Sequence, residues 1–319
     1  MPIDSVLIRQ AEAGDAAAQL ELAQMYASGV GVPADPARAA HWFHAAAEQG
    51  NVRAQSLLGE MFLRGRGVAR DPECAVSWLK RAAEQGDAAA HAALGWCHQE
   101  GLGVASDYAA AFDHYRCAAE HGHSGARYNL GYMYAEGIGV ARDYASAFRW
   151  YELAARQGHA KAQMSLGRLH AQGLGTIADP VAAARCYEDA ARQGYAKAQY
   201  NLALLYAGGH GVEQDDAAAV AWYRRAAEQE YEKALYNLGL HTLMGLGTHA
   251  DPAAAFDLFR RAAARGYAKA WYQLGRMYEK GSGCERDAEA AARCFREAAE
   301  AGFAPVWERR RRKPGARDS

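Results

Sequence analysis

Apolar side chains recur along this chain at helical spacing, and glycine interrupts the apolar blocks at regular intervals. The pair Gly-x-Gly begins at Gly29, Gly65, Gly101, Gly137, Gly173, Gly209, Gly245 and Gly281, a constant step of 36 residues without insertion or deletion. Two further columns keep that step. One runs through Gly14, Gly50, Gly86, Gly122, Gly158, Gly194, Gly266 and Gly302, the other through Gly59, Gly95, Gly131, Gly167, Gly239 and Gly275. The three columns hold thirty of the 33 glycines, so glycine placement punctuates the fold.

Each unit predicts two helices. The Gly-x-Gly pair and the Gly14 column follow apolar periods, where glycine turns left-handed to satisfy the last helical carbonyls, so they end the first and second helix. Asp stands four residues beyond each pair, at Asp35, Asp71, Asp107, Asp143, Asp179, Asp215, Asp251 and Asp287, followed by proline at Pro36, Pro72, Pro180 and Pro252. Asp as N-cap with Pro at the first helical position starts the second helix. The Gly59 column lies inside the first helix, where glycine costs about 1 kcal/mol against alanine. Close helix approach is the expected reason, since Ala23 and Ala203 are its only substitutes.

Larger residues fill the remaining core positions. Leu22 and its equivalents through Leu274 serve the first helix, and Phe43, Leu79, Tyr115, Tyr151, Tyr187, Tyr223, Phe259 and Phe295 the second. One helix pair cannot bury these alone, so the pairs must stack into an all-α solenoid of eight helix-pair repeats. Residues 1–14 read as a half-repeat cap helix, 15–302 as the eight repeats, and 303–319 as a C-terminal extension. That extension carries a basic run from Arg309 to Lys313, either a solvated, frayed end or a handle for an acidic partner.

Composition narrows the function. A net charge of −1 gives no basic face for nucleic acid or anionic membrane, so charge-driven binding must be local. The first ten residues lack the pattern of a secretory signal, and no apolar stretch reaches the roughly 18 residues of a bilayer span. A cytoplasmic protein without a membrane span is expected. Cys74, Cys97, Cys117, Cys186, Cys284 and Cys294 form no Cys-x-x-Cys pair and read as reduced thiols.

Repeat four states the pattern in full, from Ala126 through Leu130-Gly131, Tyr134, Gly137-Ile-Gly-Val140, Asp143, Ala147, Trp150-Tyr151 and Ala154-Ala155 to Gly158. It closely resembles the Sel-one-like repeat, a relative of the tetratricopeptide repeat, and the match runs over residues 14–302. The resemblance implies right-handed superhelical stacking of antiparallel helix pairs. It also implies adaptor or scaffold roles in signalling, secretion, envelope biogenesis or host interaction, without a single activity. Glu230 stands where glycine is expected, Thr242 and Leu258 replace both aromatics of repeat seven, and Cys284 replaces valine. Local irregularity is expected at the junction after repeat six and in repeat seven, while the stack continues.

In tetratricopeptide-like stacks the first helix lines the concave face, so first-helix columns not needed for packing are candidates for contact. One column reads Arg53, Ala89, Gly125, Lys161, Lys197, Lys233 and Lys269. A helical turn away lie Tyr128-Asn129, Met164-Ser165, Tyr200-Asn201, Tyr236-Asn237 and Tyr272-Gln273, against Leu20-Glu21, Ser56-Leu57 and Ala92-Ala93 earlier. Ammonium, amide and phenol donors suit carboxylates and peptide backbone, so a protein or acidic peptide partner is expected on repeats four to eight. The alternative is that tyrosine packs between helices while lysine is solvated. A regulatory or assembly subunit using the basic tail is a further reading.

Enzyme chemistry finds little support. Ser77-Trp-Leu-Lys80 has the Ser-x-x-Lys spacing of penicillin-recognising enzymes, yet neither Ser-Asp-Asn nor Lys-Thr-Gly occurs. His41 and His44, or His121 and His123, lack a third metal ligand, and His98 and His170 occupy the column of Tyr134 as packing groups. No catalytic residue, metal or cofactor is expected.

Overall fold

The computed structural model describes residues 5–303, which places the run 309–313 outside the described residues. All regular structure among the described residues is α-helical. A short helix α1 (Ser5–Glu12) comes first, and the chain divides into two compact units after His159. The first unit pairs α2 (Ala16–Ser28) with α3 (Pro36–Glu48) and α4 (Val52–Arg64) with α5 (Pro72–Glu84). It continues with α6 (Ala88–Glu100) and α7 (Tyr108–Glu120), then α8 (Ser124–Glu136) and α9 (Tyr144–Arg156). The second unit pairs α10 (Ala160–Gln172) with α11 (Pro180–Arg192) and α12 (Ala196–Gly208) with α13 (Asp216–Glu228). Its last pairs are α14 (Glu232–Met244) with α15 (Pro252–Ala264) and α16 (Ala268–Lys280) with α17 (Ala288–Glu300). Within each unit every helix packs on the one before and the one after, the arrangement of an all-α solenoid.

The helix starts follow the sequence. Asp35 is extended and its carboxylate accepts the backbone N–H groups of Ala37 and Arg38, and the other seven Asp residues of the column cap their second helices likewise. The first helices divide. Asp15, Asn51, Asp87 and His123 cap α2, α4, α6 and α8 with a side-chain acceptor, whereas Tyr195, Tyr231 and Tyr267 before α12, α14 and α16 form no side-chain cap bond.

Glycine serves three distinct needs. At Gly50 the backbone has φ of 84° and a Cβ would meet nothing within 4 Å, so only the left-handed turn requires it. At Gly131, inside α8, a Cβ would lie 2.8 Å from the Tyr151 ring, which explains a glycine that helix propensity opposes. From repeat two onward the second glycine of the pair, as at Gly67, Gly103, Gly139, Gly211, Gly247 and Gly283, has a reason the sequence did not disclose. A Cβ on Gly67 would run into the carbonyl of Pro36 at the start of α3, and Gly103 sits the same way against Pro72. The loop joining the two helices of one repeat therefore rests on the second helix of the repeat before.

Tyr115, Tyr151, Tyr223 and Phe259 are fully buried beside the leucine column, and alanines such as Ala39 and Ala46 pave the helix seams. A polar element also crosses this core. Gln55 Nε2 donates to the Ala47 carbonyl at 3.1 Å, while Gln85 Nε2 donates to Gln55 Oε1 at 2.9 Å. Gln19 with Gln49 and Gln199 with Gln229 repeat the arrangement. Each buried amide thus ties a first helix to the second helices on both sides, meeting the rule that buried polar groups are partnered.

The departures in repeats six and seven do not break the stack of the second unit. Helices α13, α14 and α15 keep the 13-residue length of the others, and Glu230 adopts φ of 58°, the conformation glycine takes elsewhere. Arg261 and Arg265 of α15 hold its carboxylate at 2.7 and 3.4 Å. The loss of both aromatics opens a surface cavity instead, about 500 Å³, bordered by Leu238, Thr242 and Leu258.

Candidate peptide-binding face

The lysine column occupies the second position of α10, α12, α14 and α16, where Lys161, Lys197, Lys233 and Lys269 are all exposed. None of the four forms an ion pair among the described residues. A cation in the first helical turn opposes the helix dipole, so helix stability does not account for the column.

The tyrosine column is half-buried and turned partly inward. Tyr200 packs against Tyr223 and Tyr231 with ring centroids 6.0 and 5.4 Å away, Tyr236 against Phe259 and Tyr267 at 5.7 and 5.1 Å, and Tyr272 against Phe295 and Phe303. Tyr128 in the first unit packs likewise against Tyr151 and His159. Burial raises the Tyr200 hydroxyl above its usual pKa and pushes Tyr223 up to about 12.

The amides serve those hydroxyls. Asn237 Nδ2 donates to Tyr223 Oη at 3.3 Å, and Gln273 Nε2 lies 3.5 Å from Tyr236 Oη. In the first unit Tyr115 Oη donates instead to Gln99 Oε1 at 3.2 Å, and Asn129 is half-buried. Asn201 is half-buried at the equivalent place on α12. The lysines are therefore the open members of the ladder, and the Tyr and Asn columns form its floor.

In the first unit the same columns border cavities. Arg53 and Leu57 line one between α2 and α4, while Ala89, Ala93, Gly125 and Asn129 line a second running over α4, α6 and α8. Ala89 and Gly125 stand where the second unit has lysine, which leaves room.

A family model described as the Sel1 repeat matches residues 16–51, 52–87, 88–123, 124–159, 160–195, 196–231, 232–267 and 268–303. The chain belongs to the Sel1 repeat family. A protective antigen of uropathogenic Escherichia coli with an SLR fold superposes with a TM-score of 0.86 at 36% identity. The alignment covers 93% of this chain and 64% of that one, so the chain spans under two thirds of that relative's length. A Sel1 repeat protein from Oxalobacter formigenes gives a TM-score of 0.69 at 31% identity over 96% of this chain and 88% of its own. Comparison with curated proteins returns no match. Sel1 repeats are helical scaffold units that generally mediate protein–protein contacts, and no helix among the described residues is long and apolar enough to cross a membrane.

Within the Sel1 repeats the remaining candidates have structural settings. Ser77 and Lys80 are exposed on α5, with no hydrogen bond between them. No group of three potential metal ligands lies together among the described residues. His123 Nδ1 accepts the Ala126 N–H as the N-cap of α8, and His121 Nδ1 donates to the Cys117 carbonyl. His98 stacks on His114 at 5.4 Å. All six cysteines are free thiols, and burial pushes Cys97 up to about 11. The caps at Asp15, Asn51, Asp87 and His123 escaped the sequence reading. The signal was present, since each directly follows a glycine that ends a helix.

Proposed function

We propose that this chain is a non-enzymatic interaction scaffold whose second unit holds an extended acidic peptide of a partner protein along its first helices, the concave face of tetratricopeptide-like stacks. The observation that carries this reading is the coincidence of exposed lysines with uncapped helix starts. Lys197, Lys233 and Lys269 each sit two residues beyond a tyrosine that provides no side-chain cap. At these starts the third-residue amide turns to the tyrosine carbonyl, as Ala198 N–H does to Tyr195 at 2.9 Å. No side-chain carboxylate offsets the helix dipole there, so the dipole and the ammonium group both favour an anion. Lys161 extends the column to α10. Tyr200, Tyr236 and Tyr272, with Asn201, Asn237 and Gln273, supply a half-buried floor against which a peptide backbone can lie. Tyr128 and Asn129 present the same pair in the first unit.

The test combines binding with stability. Replacing Lys197, Lys233 and Lys269 by alanine should abolish binding of a fluorescein-labelled poly-glutamate decapeptide while leaving the melting temperature unchanged or higher, because three unfavourable cation–dipole contacts are removed. Equal binding by variant and wild type rejects the lysine column as the site.

A further inference from the structure

The cavity between α2 and α4 has a composition that its repeat position does not dictate. Its floor is apolar, made by Ala27, Phe43, Leu57 and Met61, of which Phe43 and Met61 are buried. Three arginines border it: Arg53, Arg64 and Arg66. The neighbouring repeats carry Ala17 and Ala89 in place of Arg53, Ser28 and Glu100 in place of Arg64, and Val30 and Leu102 in place of Arg66. The cluster is therefore particular to repeat two and is not a consequence of the fold.

The electrostatics are uncompensated. Among the described residues Glu60 is the one carboxylate bordering the cavity, where its ion-pair partner is Arg64 at 3.8 Å. Arg66 is held in place, since its Nη2 donates to the Ala27 carbonyl at 3.0 Å across the gap between the repeats. A guanidinium fixed by one bond keeps other donors free for an anion. The volume, about 330 Å³, lies at the lower end of the roughly 300–1,000 Å³ of small-ligand pockets, room for a single residue and its immediate neighbours.

We propose that this cavity captures the free C-terminus of a partner protein whose last residue is apolar, the side chain entering over Phe43 and the terminal carboxylate meeting Arg53 and Arg66. A terminal residue presents an apolar side chain and an anion from one α-carbon, which matches arginines grouped around one small apolar floor. An internal acidic residue lacks the adjacent apolar group, and its chain must continue past the cavity in both directions. The site is independent of the lysine column, which lies in the other unit.

The full chain would be applied to an array of hexapeptides with free C termini, ending in Leu, Ile, Phe, Ser or Lys after randomised positions. The best binder is then resynthesised as acid and as amide for fluorescence anisotropy. Apolar endings should be enriched. Amidation should weaken binding about tenfold or more, the scale of a lost hydrogen bond to a charged group. Arg53→Gln with Arg66→Gln should weaken the acid to the level of the amide, whereas the triple lysine variant should bind like wild type. Equal binding of acid and amide, no preference for apolar endings, or a dimer of the chain dissolved by Arg66→Gln with no peptide bound would each overturn the assignment. The acid–amide comparison uses unaltered protein, so its result is separate from any folding defect of a variant.

Discussion

Arg261 Nη2 donates to Glu230 Oε1 at 2.7 Å, joining α15 to the turn that ends α13 across 31 positions of sequence. That contact lies beside the one non-glycine residue among the described residues with positive φ. Left-handed backbone costs a side-chain-bearing residue about 1–2 kcal/mol, and a half-exposed ion pair returns less than about 1 kcal/mol. Glu230→Gly should therefore melt at or above the wild-type temperature, and Glu230→Ala below it. The Arg261 bond also holds the Glu230 carboxyl below its usual pKa. A depressed carboxyl stabilises the fold above its unfolded pKa and loses that contribution as pH falls through the folded value, so the Glu230→Ala deficit should shrink on acidification. A deficit that grows at low pH would contradict the pairing.

Glycines in two columns should respond differently to the same change. Gly50→Ala meets no neighbour and bears only the left-handed backbone cost, about 1–2 kcal/mol. Gly67→Ala bears that cost and also collides with the Pro36 carbonyl, a backbone atom that cannot swing aside. Urea titrations should show the larger loss for Gly67→Ala. Equal losses would mean that the loop does not rest on α3.

Gln55→Leu should lower stability by about 0.5–1.5 kcal/mol, because it removes two hydrogen bonds while the Ala47 carbonyl keeps the Gly50 N–H and the Gln85 amide keeps the Arg81 carbonyl. Repeat seven carries leucine at this column, Leu235, but there the partner position is Arg265, which turns to Glu230 instead. A neutral Gln55→Leu would show that water replaces the bond.

The first unit should weaken in acid through its histidines. His91 Nδ1 and His114 Nδ1 lie 3.1 Å apart, a spacing that accepts one proton between them and resists a second. Burial first, then the charges of His91 and His98, push His114 down to about 4, with Lys80 acting in the same sense and Asp113 against it. The unfolded imidazole protonates below its ordinary value of 6.5, so stability should fall as pH drops from there to about 4. His114→Trp, the residue of Trp42, Trp78, Trp150 and Trp222 in this column, should lessen the loss of melting temperature between pH 7 and pH 4.5. An unchanged loss would place the acid sensitivity elsewhere.

The helix count, the Asp caps and the glycine ends were legible in the sequence because each rests on contacts between residues close along the chain. The candidate columns were legible too, since a register of 36 residues repeats each position eight times and exposes the columns that vary. The departures at Glu230, Thr242 and Leu258 stay local. An arginine one repeat away stabilises the turn, and the missing rings leave a surface cavity while the helices hold their lengths.

What the chain alone determined is local: where helices begin and end, and which positions each repeat must keep small or apolar. Tertiary structure decided which of those positions have room beside them. Tyr200 and Asn237 read as surface donors, yet they pack and bond within the stack, while small side chains at Ala89 and Gly125 leave cavities in the first unit. A side chain's free volume depends on residues 30 or more positions away, as the Gln85–Gln55 bond does, and no local pattern encodes that distance.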